Sequence, residues 1–157
     1  MMRPITISCR WGFWAGEWGA AVTTNADVTV YNAYMDPETR LDSYQRTVIR
    51  GVWFYVDNKV TVSPTMSSSG ISSADVYKVR IPASADTGGA EFVQPWEYTG
   101  AEGTWTLKAD DYVARGVWDK EIERPADLQK WKMPAFRINS WSDNRFGGLP
   151  HWRIGGA

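Results

Sequence analysis

From Ala26 onward, apolar and polar positions alternate with the period of two that marks half-buried β-strands. In ADVTVYN, Val28 and Val30 fall on one face and Thr29 and Tyr31 on the other, and MDPETRLD follows with Pro and Asp turn chemistry. YQRTVIRGVWFYV is rich in β-branched and aromatic residues; strict alternation puts Val48, Val52 and Phe54 on one face and Ile49, Trp53 and Tyr55 on the other, with Gly51 marking a bulge or bend. VSPTMSSSGISSA is polar and nearly chargeless and predicts a mobile loop. DVYKVRIP predicts a strand with Tyr77, Val79 and Ile81 inward, Lys78 and Arg80 outward, and a stop at Pro82. ASADTGGAEFVQP reads as a second loop, and TWTL and YVARGVW as two strands around a KADD turn. ERPADLQKW opens a short helix with Pro125 at its first position. FRINSW and HWRIGG are the last strands, joined by the turn formers of SDNRFGGLP. The expected fold is mainly β: a small antiparallel barrel or sandwich with one short helix and long loops.

Residues 1–22 break this pattern. Trp11, Trp14 and Trp18 could share a helix face, but Gly12 and Gly16 lie between them and Gly19 directly follows. Each Gly opposes helix by ~1 kcal/mol relative to Ala. The expected organisation is an N-terminal arm over 1–24 and one domain over 25–157, since 157 residues suit a single core. The arm has two alternatives, packing on its own domain or on a neighbouring subunit.

Apolar residues at 43% and charged residues at 22% are ordinary for a globular domain and exclude the disordered class. Ten Trp, seven Tyr and five Phe exceed what one small core needs and point to partner surfaces. The 17 basic and 18 acidic residues nearly cancel, so the sequence lacks the basic footprint of a duplex-DNA reader. A single cysteine, Cys9, fits a reducing compartment. No apolar run suits a signal peptide or a membrane-spanning helix, so the chain reads as soluble and unexported.

Candidate chemistry is sparse. A nucleophile–base device would need the one histidine, His151, with Cys9 or a serine, and a lone His in a terminal strand is more commonly a packing residue. Zinc would need more Cys and His ligands. Asp110 and Asp111 are adjacent, and neighbours in a turn point apart, which favours a solvated turn over an acid–base pair. DNRFGG lacks the spaced acceptors of a calcium loop, and GFWAGEWG lacks the strand and Lys-Ser/Thr of a phosphate cradle. The expectation is no catalytic residue, no cofactor and no metal. A rival reading of another class is a Trp-platform carbohydrate-binding module, weakened because Trp53, Trp105, Trp118 and Trp152 fall in expected strands where burial is simpler.

VTVYNAYMDPETRLDSYQRTVIRGVWF, SADVYKVRIP, WTLKADDYVARG and the ending DNRFGGLPHWRIGG together resemble a family of small head–tail connector (neck, minor capsid-like) proteins of tailed phages and prophages of Gram-positive bacteria. The resemblance covers roughly residues 25–157, and the ending is its most specific part; residues 1–24 depart from it. It implies a head-closure or stopper-like virion protein in the neck between capsid and tail, assembled in the host cytoplasm. Such proteins form a homo-oligomeric ring, commonly of six copies with twelve as the alternative. The ring's neighbours are the portal or adaptor ring and the tail terminator or tail tube. DNA passes through without sequence-specific binding, and no membrane is involved. Adaptor and terminator positions are alternative placements. A loop projecting into the channel is part of the implied architecture. The stretch Ser63–Ala74, with Pro64, Ser67, Ser68, Ser69 and Gly70 at its centre, is the first candidate, and Pro82–Gly103 the second. Trp11, Trp14 and Trp18 and the Asp143–Pro150 turn, with Asp143, Asn144, Arg145 and Phe146, are the expected inter-subunit contacts.

Overall fold

A computed structural model describes residues 24–57, 60–62, 71–73 and 76–157, the two three-residue segments as backbone only. Trp11, Trp14, Trp18, Pro64, Ser67, Ser68, Ser69 and Gly70 lie outside the described residues. The strands are β1 (Ala26–Met35), β2 (Asp42–Val56), β3 (Val60–Val62), β4 (Ile71–Ser73), β5 (Tyr77–Pro82), β6 (Glu91–Phe92), β7 (Thr104–Trp105), β8 (Tyr112–Arg115), β9 (Ala135–Asn144) and β10 (His151–Gly156); helix α1 is Ala126–Lys130. Six of the strands pair in the circuit β1-β2-β5-β10-β9-β8 and back to β1, every pairing antiparallel. The result is a mainly β domain, an irregular small barrel whose β8–β9 seam is only three residue pairs long.

The barrel interior takes Val28 and Val30 from β1, Ile49 and Val52 from β2, Val79 and Ile81 from β5, and Ile138, Trp152 and Ile154 from β9 and β10. The expected alternation holds in β1 and β5. In β2 it slips. Ile49 is buried and Val48 is not, the reverse of strict alternation, because one extra residue sits on β2 between the partners of Ala26 and Val28. Gly51 adopts φ 79°, and its N–H donates to the Asp27 carboxylate at 2.9 Å. The bulge restores the phase, so Val52 and Phe54 face in while Trp53 and Tyr55 face out.

One outer wall is covered. Tyr31 and Ala114 point away from the interior but are buried beneath Ile122, Leu128 and Met133 of the segment around α1. Thr29 pins that segment, its hydroxyl donating to the Gly116 carbonyl at 2.9 Å and accepting from the Trp118 N–H at 3.0 Å. The Tyr31 hydroxyl donates to the Lys120 carbonyl at 2.8 Å. Helix α1 spans only five residues and starts one residue later than expected, with Pro125 at its N-cap and Ala126 at the first helical position.

Two expected loops carry more order than their composition suggests. Ile71–Ser73 in the Ser-rich stretch is a strand, paired with Val60–Val62. Backbone pairing needs no apolar side chains, which is why composition gives no sign of it. The second stretch, Pro82–Gly103, is fastened to the barrel: Arg50 bridges Asp86, the Glu91 N–H donates to the Gly103 carbonyl, and Phe92 packs on the core.

Candidate functional site

β1 and β9 both run antiparallel to β8, so the β1–β2 and β9–β10 turns emerge at the same end of the barrel. Met35, Leu41, Phe146, Leu149 and Trp96 are large apolar side chains left exposed there or in the adjoining 93–103 loop. That loop is held to this end by the Tyr98 hydroxyl, which donates to Gln45 at 2.7 Å, and by the Gln45 amide, which donates to the Ala101 carbonyl at 3.0 Å.

The β9–β10 turn is built on an aromatic stack. Phe92 lies 5.0 Å from Trp105 and 4.9 Å from Trp152, ring centre to ring centre, with Trp141 at 6.4 Å. The Arg145 guanidinium lies over Phe92 at 5.0 Å and over Trp152 at 4.9 Å, and its Nε and Nη2 donate to the two Asp143 carboxylate oxygens at 2.9 and 2.7 Å. The hydrogen bond from Arg145 holds the Asp143 carboxyl below the usual carboxylate range. With Arg145 fixed on the stack, Phe146 projects outward, 89% exposed. The turn is shorter than expected. Asp143 and Asn144 belong to β9, paired with Trp152 and His151, and Arg145 and Phe146 are its first free positions. Of the expected contact residues, these four are brought together.

At the opposite end β2 and β5 run on as a ribbon. Trp53 pairs with Arg80, Val56 with Tyr77, Val60 with Ser73 and Val62 with Ile71, so each step forward on one strand is matched by one step back on the other. Among the described residues, neither β3 nor β4 pairs with any further strand.

A third feature is not legible as a site in the sequence. Asp111 is 1% exposed, not the solvated turn residue expected, although Asp110 beside it is exposed and faces Arg137 at 3.6 Å. The Asp111 carboxylate accepts from the Asn32 amide at 2.8 Å, the Ala33 N–H at 3.0 Å and Lys108 Nζ at 3.0 Å. Lys108 also donates to the Ala33 carbonyl, and Asn32 exchanges hydrogen bonds with the Thr106 backbone. Burial pushes the Asp111 pKa up, and its three donors oppose the shift. The only sequence signal is the i,i+3 spacing of Lys108 and Asp111. Ala33 and Lys108 of this network also line a cleft of about 490 Å³, together with Tyr34, Met35, Pro37, Pro95 and Tyr98.

His151 Nδ1 lies 2.7 Å from the Leu149 carbonyl, and no Ser or carboxylate is bonded to its ring among the described residues; Cys9 lies outside them. No group of three His, Cys, Asp or Glu converges among the described residues to hold a metal ion. No helix among them is long and apolar enough to cross a membrane. Among the described residues the Trp side chains do not form a shared platform: Trp105 and Trp152 are buried, Trp53 stacks on Tyr55, and Trp96 is exposed.

No curated protein and no solved structure matches the chain. Residues 23–157 match the model of DUF6751, a family of unknown function, and the chain belongs to that family.

Proposed function

We propose that this chain is a structural ring component of a tailed-phage neck, a head-closure or stopper-like protein that joins the portal–adaptor complex to the tail around the DNA channel. The observation that carries the reading is the division of the barrel into two unlike ends. One end exposes Met35, Leu41, Trp96, Phe146 and Leu149, and the other extends the β2–β5 hairpin into the β3–β4 ribbon. A closed ring of identical copies uses heterologous contacts, in which each subunit presents two different patches to its neighbours. A rigidly mounted aromatic such as Phe146 suits the centre of such a patch, and a ribbon that pairs with no further strand among the described residues suits strand addition. The ribbon also provides the projecting element that a stopper places in its channel, with Ser63–Gly70 between its strands.

The reading is tested on the full chain by mass photometry and negative-stain electron microscopy at micromolar concentration. A six- or twelve-copy ring, lost or weakened in Phe146→Ser, is the expected result. A monomer at all concentrations, alone and with the portal–adaptor complex, overturns it.

A further inference from the structure

The second outer wall of the barrel, made by β2, β5 and β10, carries no covering segment among the described residues. Across it runs one row of Cα partners: Trp53 on β2, Arg80 on β5, Arg153 on β10 and Ser142 on β9. Arg80 and Arg153 are both exposed and stand directly opposite each other on neighbouring strands. Like charges in that position repel, at a cost of the same order as the ~0.2–1 kcal/mol that favourable pairs contribute. The exposed Arg50 stands beside the Gly51 bulge on the same strand as Trp53. None of the three arginines has an ion-pair partner among the described residues. Lys78, in the next row, is already neutralised by Asp57 at 3.2 Å, and the Asp86 carboxylate, near Arg50, accepts from the Gly88 N–H.

Outside the described residues the chain carries more basic than acidic side chains. Residues 1–23 contain Arg3 and Arg10 against Glu17, and the other segments outside the described residues add Lys59 and Asp75. Arg80 at the centre of the row is held in place, because its guanidinium lies 5.2 Å over the Trp53 ring, and Trp53 stacks on Tyr55 at 5.2 Å. A guanidinium fixed in this way loses little freedom on meeting an anion, and each guanidinium of the row matches phosphate oxygens in a two-pronged geometry.

We propose that this open wall docks the phosphodiester backbone of double-stranded DNA through Arg50, Arg80 and Arg153, without reading bases. The wall is a surface of paired strands, with no helix among the described residues that could enter a groove from it, which fits backbone contact alone. The choice of DNA over another polyanion rests on the neck reading above; the cationic row itself does not. Near-neutral overall charge conceals the feature, since the fold gathers the arginines on one face. A single copy binds weakly, and a ring multiplies the effect.

The test measures binding of the full chain to a fluorescein-labelled DNA duplex by anisotropy over a salt series. Mass photometry of the same samples reports assembly separately. Binding at low salt that falls steeply as salt rises is expected. The double variant Arg80→Gln/Arg153→Gln should flatten the log–log salt slope by roughly two, about 0.9 for each phosphate left without its arginine. Its circular dichroism and melting should match the parent, because both side chains are exposed. The proposal is overturned if the parent does not bind at low salt, if the variant keeps the full slope, or if polyglutamate competes as well as unlabelled duplex. A ring that ignores DNA would sink this proposal and leave the ring reading standing; a monomer that binds through these arginines would do the reverse.

Discussion

Arg145 and Asp143, two residues apart at the end of β9, close a two-pronged ion pair directly above Phe92 and Trp152. The pair is partly exposed, and its Coulomb energy alone is small. The stack beneath it adds cation–π attraction and removes rotamer freedom from the turn that presents Phe146.

Arg145→Ala should therefore lower stability by ~1 kcal/mol, combining an exposed ion pair with a partly exposed cation–π interaction. Arg145→Lys should recover less than half of the loss, because an ammonium keeps the charge without the planar fork. Urea midpoints followed by Trp fluorescence report both. Equal stability of the Lys variant and the parent would show that charge alone holds the turn.

Asp111 poses a different problem, since its carboxylate is enclosed with three donors. Asp111→Ala leaves the Asn32 amide, the Ala33 N–H and Lys108 without their acceptor, and should cost about 3 kcal/mol. Lys108 can turn toward solvent, its side chain being 30% exposed, so Lys108→Met should cost less. A double-mutant cycle between the two positions should give a coupling of about 1–3 kcal/mol. Additive losses would mean that the pair does not interact.

The parts of this fold that sequence reveals are those fixed by local alternation, such as Val28 and Val30 in β1 or Tyr77, Val79 and Ile81 in β5. Strict alternation puts Ile49 on the wrong face because a bulge at Arg50–Gly51 inserts one residue, and alternation cannot tell where the phase resets. It groups Asp111 with Asp110 because adjacency in sequence says nothing of which carboxylate the Asn32 amide reaches from β1. The arginine row is invisible for a similar reason. Arg80 and Arg153 meet only through the β5–β10 pairing, which no local rule anticipates. The β9–β10 turn is legible, since its turn formers sit together in the chain, but its start at Arg145 and the Phe92–Trp152 stack that supports it are not.

Tyr31 gives the barrel an alkaline limit. Burial raises its hydroxyl pKa from 10.0 to about 12. In the unfolded chain the phenol ionises near 10, so between these two values the folded state holds a proton that the unfolded state has released. Stability is then unaffected by this group below pH 10 and falls as pH rises toward 12. Tyr31→Phe should lose the hydrogen bond to the Lys120 carbonyl, at a cost of ~1 kcal/mol near neutrality. It should also show a shallower decline of stability over the alkaline range. Parallel curves for the parent and the variant in urea titrations across that range would rule out Tyr31 as the source.

The ribbon should be separable from the barrel. The Asp57 N–H donates to the Val76 carbonyl at 2.6 Å, so the chain enters and leaves the ribbon at adjacent positions. A two-residue Asn-Gly turn spans such a pair and matches the twist of the flanking strands. Replacing residues 58–75 with Asn-Gly should therefore keep the six-strand circuit, because β3 and β4 belong to a separate two-stranded sheet. A melting temperature within a few degrees of the parent is expected, as is unchanged exposure of Phe146 to the other end's partners. A head-closure role assigns the ribbon to the channel, so the same deletion should let packaged DNA leak from filled heads while rings still form. Loss of the folded barrel would instead mean that the ribbon is part of the core structure, and retention of DNA would remove it from the stopper role.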